Sequence, residues 1–344
     1  MSLSTQGYLK ALALIILAIG YIEVAKAMAT PQANAFKFVE KTLSRPSSDI
    51  DLARTKIMID KFIDPSIDVE QSLKDLSRMA QTVRSASTPN MTDIDKMMSL
   101  RAYLYEGGYW NQFKPFHYDF ADPLGINLHS QLLPTYLRTK KGNCVSMPFL
   151  FVILAKKLGL DVTVATAPLH LFVKFKDPQT GQMFNLETTN GAKIEGDSFY
   201  NEVMPMTNTA IQNGVYLKSL SKKETVAVMT IVLSEYYVKQ EQWQNAIDIT
   251  TLILKHYPKS AYAMLKLGNS YSDLLQEKVK FYRAKRTITD TQKKHLDYLY
   301  AQNQRWFAKA ESIGWQPVSP ATNTKYMRTM QLRANLITAQ SKGQ

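Results

Sequence analysis

From Phe36 to about Tyr105, apolar residues recur at helical spacing, as in Ile57, Ile59 and Phe62 and again in Met97, Met98, Leu100 and Leu104. The pattern predicts a helical lead-in, interrupted at Pro46, Pro65 and Pro89. Gly107 and Gly108 end it, and a turn-rich stretch with Trp110, Pro115, Pro123 and Gly125 runs to Leu132 as an ordered loop over the next element. Val145 to Leu158 is then apolar on nearly every side, the mark of a central buried helix. Pro148 is tolerated in its first turn, and Gly159 is a stop signal.

Three short strands follow. Val162, Val164 and Ala165 predict the first, Leu171 to Phe175 the second, and Met183 to Thr188 the third. Asp177-Pro178-Gln179-Thr180-Gly181 is a strong turn signal between the last two. A tight turn centred between Pro178 and Gln179 pairs residues so as to set His170 directly across from Glu187, while a slip of one residue would put Glu187 on the opposite face.

Past Thr225 the helical period returns with an internal repeat. Leu233, Ser234, Tyr237, Ala246 and Pro258 fit the 34-residue tetratricopeptide pattern. One period on, Leu267, Gly268 and Tyr271 fit again, but Lys280 occupies the small-residue position. Such units rarely stand alone in pairs, so this pair is expected to pack on the preceding core. The predicted organisation is α+β: a core with its helical lead-in over 36–215, a tetratricopeptide-like helical module over 225–315, and a polar tail over 317–344.

The first residues follow a different grammar. Lys10, the apolar run Ala11 to Gly20 and small residues at Ala25, Ala27 and Ala29 read as a signal peptide over 1–29, cleaved after Ala27 or Ala29. The alternative is an uncleaved inner-membrane anchor, although a spanning helix needs about 20 apolar residues and Glu23 interrupts this run. The expected location is therefore the periplasm or the medium.

With 344 residues and 45% hydrophobic content, the chain has room for a sizeable core and does not read as disordered. Its one cysteine, Cys144, rules out an internal disulfide, so an exported chain of this kind is stabilised by its core alone. The net charge of +13 loses one unit if 1–29 leave, since Lys10 and Lys26 go with Glu23. That excess suits an anionic envelope surface. The densest cluster, Lys278, Lys280, Arg283, Lys285 and Arg286, reads as a solvated helix face, and nucleic acid is not an expected partner.

Cys144 sits immediately before the buried helix, where unpaired N–H groups and the helix dipole favour a thiolate. With His170 and Glu187 it composes a nucleophile, a general base and an orienting carboxylate. The Cys144 N–H would serve an oxyanion, with Asn127, Gln131 or Asn143 as candidate second donors. His117, His129, His256 and His295 have no metal-ligand spacing, and no glycine-rich phosphate loop precedes a helix, so neither a metal nor an organic cofactor is expected. Asp119 and Asp122 read as turn residues.

GNCVSMPFLFVILAKKLGL, APLHLFVKF and FNLETTNG resemble the Cys, His and acid blocks of the bacterial transglutaminase-like superfamily. YLYEGGYW and DPLGINLHSQLLPTYLRTKKGN are similar to the branch often followed by tetratricopeptide repeats. The resemblance covers roughly Leu100 to Gly191 well. It implies a papain-like core with Cys144 on the central helix, His170 and Glu187 on adjacent strands, and no cofactor. Family members are mostly proteases, amidases or cross-linkers. Glu187 departs from the usual aspartate, and the branch includes members without the cysteine. The expected activity is cysteine-dependent acyl transfer on an amide of a peptide or protein, a cell-wall peptide included. Its rival is a non-catalytic envelope scaffold whose repeats hold a partner.

Overall fold

A computed structural model describes residues 31–285 and 288–322, together with 324, 328, 329 and 332. The expected signal segment over 1–29 and most of the expected polar tail lie outside the described residues. Among those described, no helix is long and apolar enough to cross a membrane.

The lead-in forms four helices, α1 (Pro31–Ser44), α2 (Leu52–Ile63), α3 (Val69–Ser85) and α4 (Asp93–Tyr105). They break at the predicted prolines and are restarted by acceptor caps. Asp51 and Asp68 accept from the third residue of α2 and α3, and Thr92 forms a capping box with Asp95 on α4.

The loop before the buried helix carries more structure than expected. His117–Tyr118 forms a short strand, β1, and α5 (Leu133–Thr139) leads into β2 (Lys141–Gly142), which pairs with β1 in parallel. Asp119 and Asp122 do act as turn residues: Asp119 accepts from Ala121 N–H, and Asp122 from Ile126 and Asn127 N–H.

The apolar helix α6 (Ser146–Lys157) is buried from Ser146 through Ala155 and ends at Gly159, whose φ of 83° is cheap only for glycine. It packs on an antiparallel sheet of β3 (Val162–Ala167), β4 (His170–Lys176), β5 (Met183–Glu187) and β6 (Lys193–Glu195), in that order. The central helix on an antiparallel sheet is the expected α+β arrangement. Leu171, Val173 and Phe175 join the core on the α6 side, while Phe172 packs with Tyr200 and Ala210 on the other face. Tyr200 and Ala210 come from α7 (Asp197–Val203) and α8 (Asn208–Gln212), so β4 is covered on both faces.

The hairpin register differs from expectation. The turn spans Asp177 to Gln182 and is centred one residue later, so β4 and β5 pair Val173 with Leu186 and Lys176 with Met183. The reason lies in Asp177, whose N–H donates to Gln182 O while its carboxylate accepts from Gln179 and Thr180, widening the loop. His170 and Glu187 are therefore not direct partners in the ladder.

The C-terminal region is helical: α9 (Lys222–Lys239), α10 (Trp243–His256), α11 (Ala261–Ala284) and α12 (Asp290–Ser312) pack successively. Gly268 lets α11 and α12 approach closely, since a Cβ there would stand 2.9 Å from the Phe307 ring. One hydrophobic cluster runs from Ala35 through α6 to Ala310.

Candidate active site

Cys144 lies in the turn between β2 and α6, and Asn143 builds that turn. Asn143 Oδ1 accepts from Val145 and Ser146 N–H (3.0 and 3.1 Å), and Asn143 N–H donates to Ser146 Oγ (3.1 Å). The reciprocal cap satisfies the head of α6 and fixes Cys144 at its positive end. Ser146 Oγ also donates to Ser130 O, anchoring the turn to the preceding loop.

A two-residue connection, Pro168-Leu169, brings His170 to the same place. Leu169 holds a φ of 54°, in the left-handed region that penalises a branched side chain, and remains 54% exposed. Its carbonyl accepts a long 3.9 Å contact from Cys144 Sγ.

His170 Nε2 stands 2.7 Å from Glu187 Oε2. The hairpin shift was two residues, an even slip, so both side chains still share one face as diagonal neighbours. On the same face Lys174 bonds Asn185 one step along. With Nε2 committed to Glu187, Nδ1 is the nitrogen left for Cys144, which lines the same cavity.

Glu187 is 2% exposed on its side chain, and its second oxygen accepts from Thr189 N–H (3.0 Å) and Thr189 Oγ1 (2.5 Å). Burial raises its pKa, but the His170 charge and the bonds from His170 and Thr189 outweigh this and hold it below the usual carboxylate range. For His170, burial disfavours the imidazolium, and the Glu187 carboxylate together with Cys144 reverses that, pushing it up to about 10. The buried hydroxyls of Tyr105 and Tyr200 feel the same carboxylate and are held protonated by burial.

Cys144, His170 and Glu187 all line one cavity of about 640 Å³. Of the three expected oxyanion donors, Asn127 does not line the cavity, and Gln131 Nε2 donates to Glu235 (3.0 Å). Asn143 Nδ2 is buried in the cavity wall without a hydrogen-bond partner. The far wall was not anticipated: Glu235 of α9 and Tyr262 and Lys266 of α11 face the same space. Glu235 left a trace, an isolated acid within VAVMTIVLSEYYV, whereas nothing local marks Tyr262. Among the described residues, no group of three or more His, Cys, Asp or Glu side chains could hold a metal ion.

Residues 70–230 match the family model of the transglutaminase-like superfamily. The chain is also similar to a UPF0162 protein of Buchnera aphidicola subsp. Baizongia pistaciae (strain Bp), at 22% identity over 240 residues, 67% of this chain and 83% of that one. A second UPF0162 protein, from Buchnera aphidicola subsp. Acyrthosiphon pisum (strain APS), is 22% identical over 215 residues, covering 61% of this chain and 74% of its own. No solved structure matches.

Proposed function

We propose, from a transglutaminase-like domain over residues 70–230, that this protein is an exported cysteine-dependent acyl-transfer enzyme acting on amide bonds of peptides or proteins. The observation that carries the reading is the 2.7 Å His170–Glu187 bond in the cavity that also holds Cys144. Export rests on the apolar run Ala11–Gly20 and the small-residue pattern after it.

In the reaction, the Cys144 thiolate attacks the amide carbonyl carbon, forming a C–S bond. The developing oxyanion is met by the Cys144 N–H at the head of α6. As the C–N bond breaks, the His170 imidazolium gives its proton to the leaving amine. A thioester remains on Cys144. Water, or an amine acceptor, then attacks it with His170 taking the proton, the C–S bond breaks, and the thiolate–imidazolium pair is regenerated as acid or a new amide leaves. Glu187 holds Nε2 throughout, orients the ring and stabilises the imidazolium.

The helical hairpins after Thr225 carry the tetratricopeptide-like positions Leu233, Ser234, Tyr237, Ala246 and Pro258, and we assign them to holding a protein partner.

The test is the rate of Cys144 alkylation by iodoacetamide across pH 5–9, for the mature protein and for His170→Ala. Rapid alkylation at pH 6 that falls at least tenfold in His170→Ala supports an activated pair. A slow thiol indifferent to His170 sinks the enzyme reading and leaves the scaffold.

A further inference from the structure

The cavity that holds Cys144 is also lined by Glu235, Lys239, Tyr262 and Lys266, all beyond the 70–230 match. Of these, Glu235 is nearly saturated. Tyr262 OH donates to Oε1 at 2.6 Å, Lys266 Nζ reaches Oε1 at 2.9 Å, and Gln131 Nε2 donates to Oε2 at 3.0 Å. The Glu235 side chain is 14% exposed, with its acceptors directed at the protein's own donors. It tethers rather than receives.

Lys266 is the group this network leaves with unused capacity. Its ammonium has three N–H donors and one carboxylate partner; the side chain is 28% exposed and lies against the Tyr262 ring at 5.0 Å. Glu235 stays ionised, since Lys266, Tyr262 and Gln131 overcome its burial, and Tyr262 stays protonated and donating. Glu235, Tyr262 and Lys266 line the same cavity as Cys144. A second cation, Lys239, lines the same wall with its ammonium on Ile126 O. Two lysines against one committed carboxylate leave that wall cationic.

We propose that Lys266, held by Glu235, Tyr262 and Gln131, is the specificity-determining residue of the cleft and takes a carboxylate of the substrate, from an acidic side chain or a free peptide C-terminus. This rests on the acyl-transfer reading. Glu235 is its positioning residue, and the helical region thereby completes the site that the matched domain begins.

The test compares Cys144 alkylation by iodoacetate, which carries a carboxylate, with that by neutral iodoacetamide. The ratio of the two rates is expected to fall at least fivefold in Lys266→Gln and to be retained in Lys266→Arg. An unchanged ratio in Lys266→Gln overturns the proposal. Calorimetry on the Cys144→Ser protein gives a readout that needs no catalysis: N-acetylglutamate amide against N-acetylglutamine amide, and N-acetyl-dialanine as acid against amide. Acids that bind at least tenfold more tightly than their neutral partners, with that advantage lost in Lys266→Gln, support the site. Preference within the first pair alone names an acidic side chain, and within the second alone a free C-terminus. Equal binding within both pairs overturns it. A Cys144 thiol indifferent to His170, by contrast, sinks the catalytic reading while the calorimetry still decides whether Lys266 reads a carboxylate.

Discussion

At the scale of single residues, the His170–Glu187 pair ties stability to pH. Burial opposes the imidazolium, but Glu187 and Cys144 raise His170 from its ordinary 6.5 to about 10. Its contribution is therefore fully present below pH 6.5 and is lost as pH rises towards 10. With Cys144 replaced by serine, so that no thiolate offsets the imidazolium proton, the folded chain holds more protons than the unfolded one in that window, and stability should fall as pH rises, by at most about 1.4 kcal/mol per pH unit from this pair. Glu187, held below its ordinary value, adds a contribution present above the usual carboxylate range and lost as pH falls through its lowered pKa. Denaturant midpoints of Cys144→Ser at pH 7, 8 and 9 should decline more steeply than those of the double variant Cys144→Ser with His170→Gln. Equal slopes would mean that the pair is not charged in the folded state. Leu169 belongs to the same scale. Its left-handed backbone is strain kept beside Cys144, whose Sγ its carbonyl meets.

Between elements, the most consequential contact is the ion pair of Lys56 and Asp60, one turn apart on α2 and both with 0% side-chain exposure. Besides the 2.5 Å bond between them, Lys56 donates to Gln131 O at 3.1 Å, and Asp60 accepts from Leu133 N–H at 2.8 Å. The pair thus ties the lead-in to the segment that supplies Gln131 to the far wall. Asp60→Ala leaves a buried ammonium unpaired and should cost about 3–5 kcal/mol, read as a lowered denaturant midpoint. Replacing both partners, as Lys56→Met with Asp60→Leu, should cost less than Asp60→Ala alone if charge burial is the dominant effect. A double variant as unstable as the single one would assign the cost to the lost tethers instead.

Across the whole molecule, the helical region and the core are joined at several points. Thr207 Oγ1 donates to Gly314 O at 2.6 Å, Asn213 Nδ2 to Ile313 O at 3.2 Å, and Lys259 Nζ to Asn213 O at 2.6 Å. Gly314, at φ 102°, sits where a Cβ would be 2.4 Å from Ala210 N. With one hydrophobic cluster running through both regions, far-ultraviolet circular dichroism and tryptophan fluorescence should report a single coincident thermal transition. Two separated transitions would show that the helical region melts by itself. Such independence would also weaken the carboxylate site, since Glu235 and Lys266 reach the cleft only through that packing.

Much of this was legible along the chain. A run apolar on all sides can only be a covered helix, so α6 was set by Val145–Leu158, and the alternating and turn-forming residues after it marked β3, β4 and β5. Cys144, His170 and Glu187 could be singled out because their chemistry is local and strand parity is a property of sequence. The register was not legible, because Asp177 widens its turn through bonds to Gln179, Thr180 and Gln182 that turn residues alone do not specify. That His170 and Glu187 still meet follows from the period of two, which an even slip preserves. Neither β6 nor the β1–β2 pair announced itself, each being three residues or fewer. The far wall belongs wholly to tertiary structure: Gln131, Glu235 and Lys266 are distant in sequence and carry no shared period. Only the packing of α9 and α11 against the loop before α6 turns three separate polar residues into one site facing Cys144.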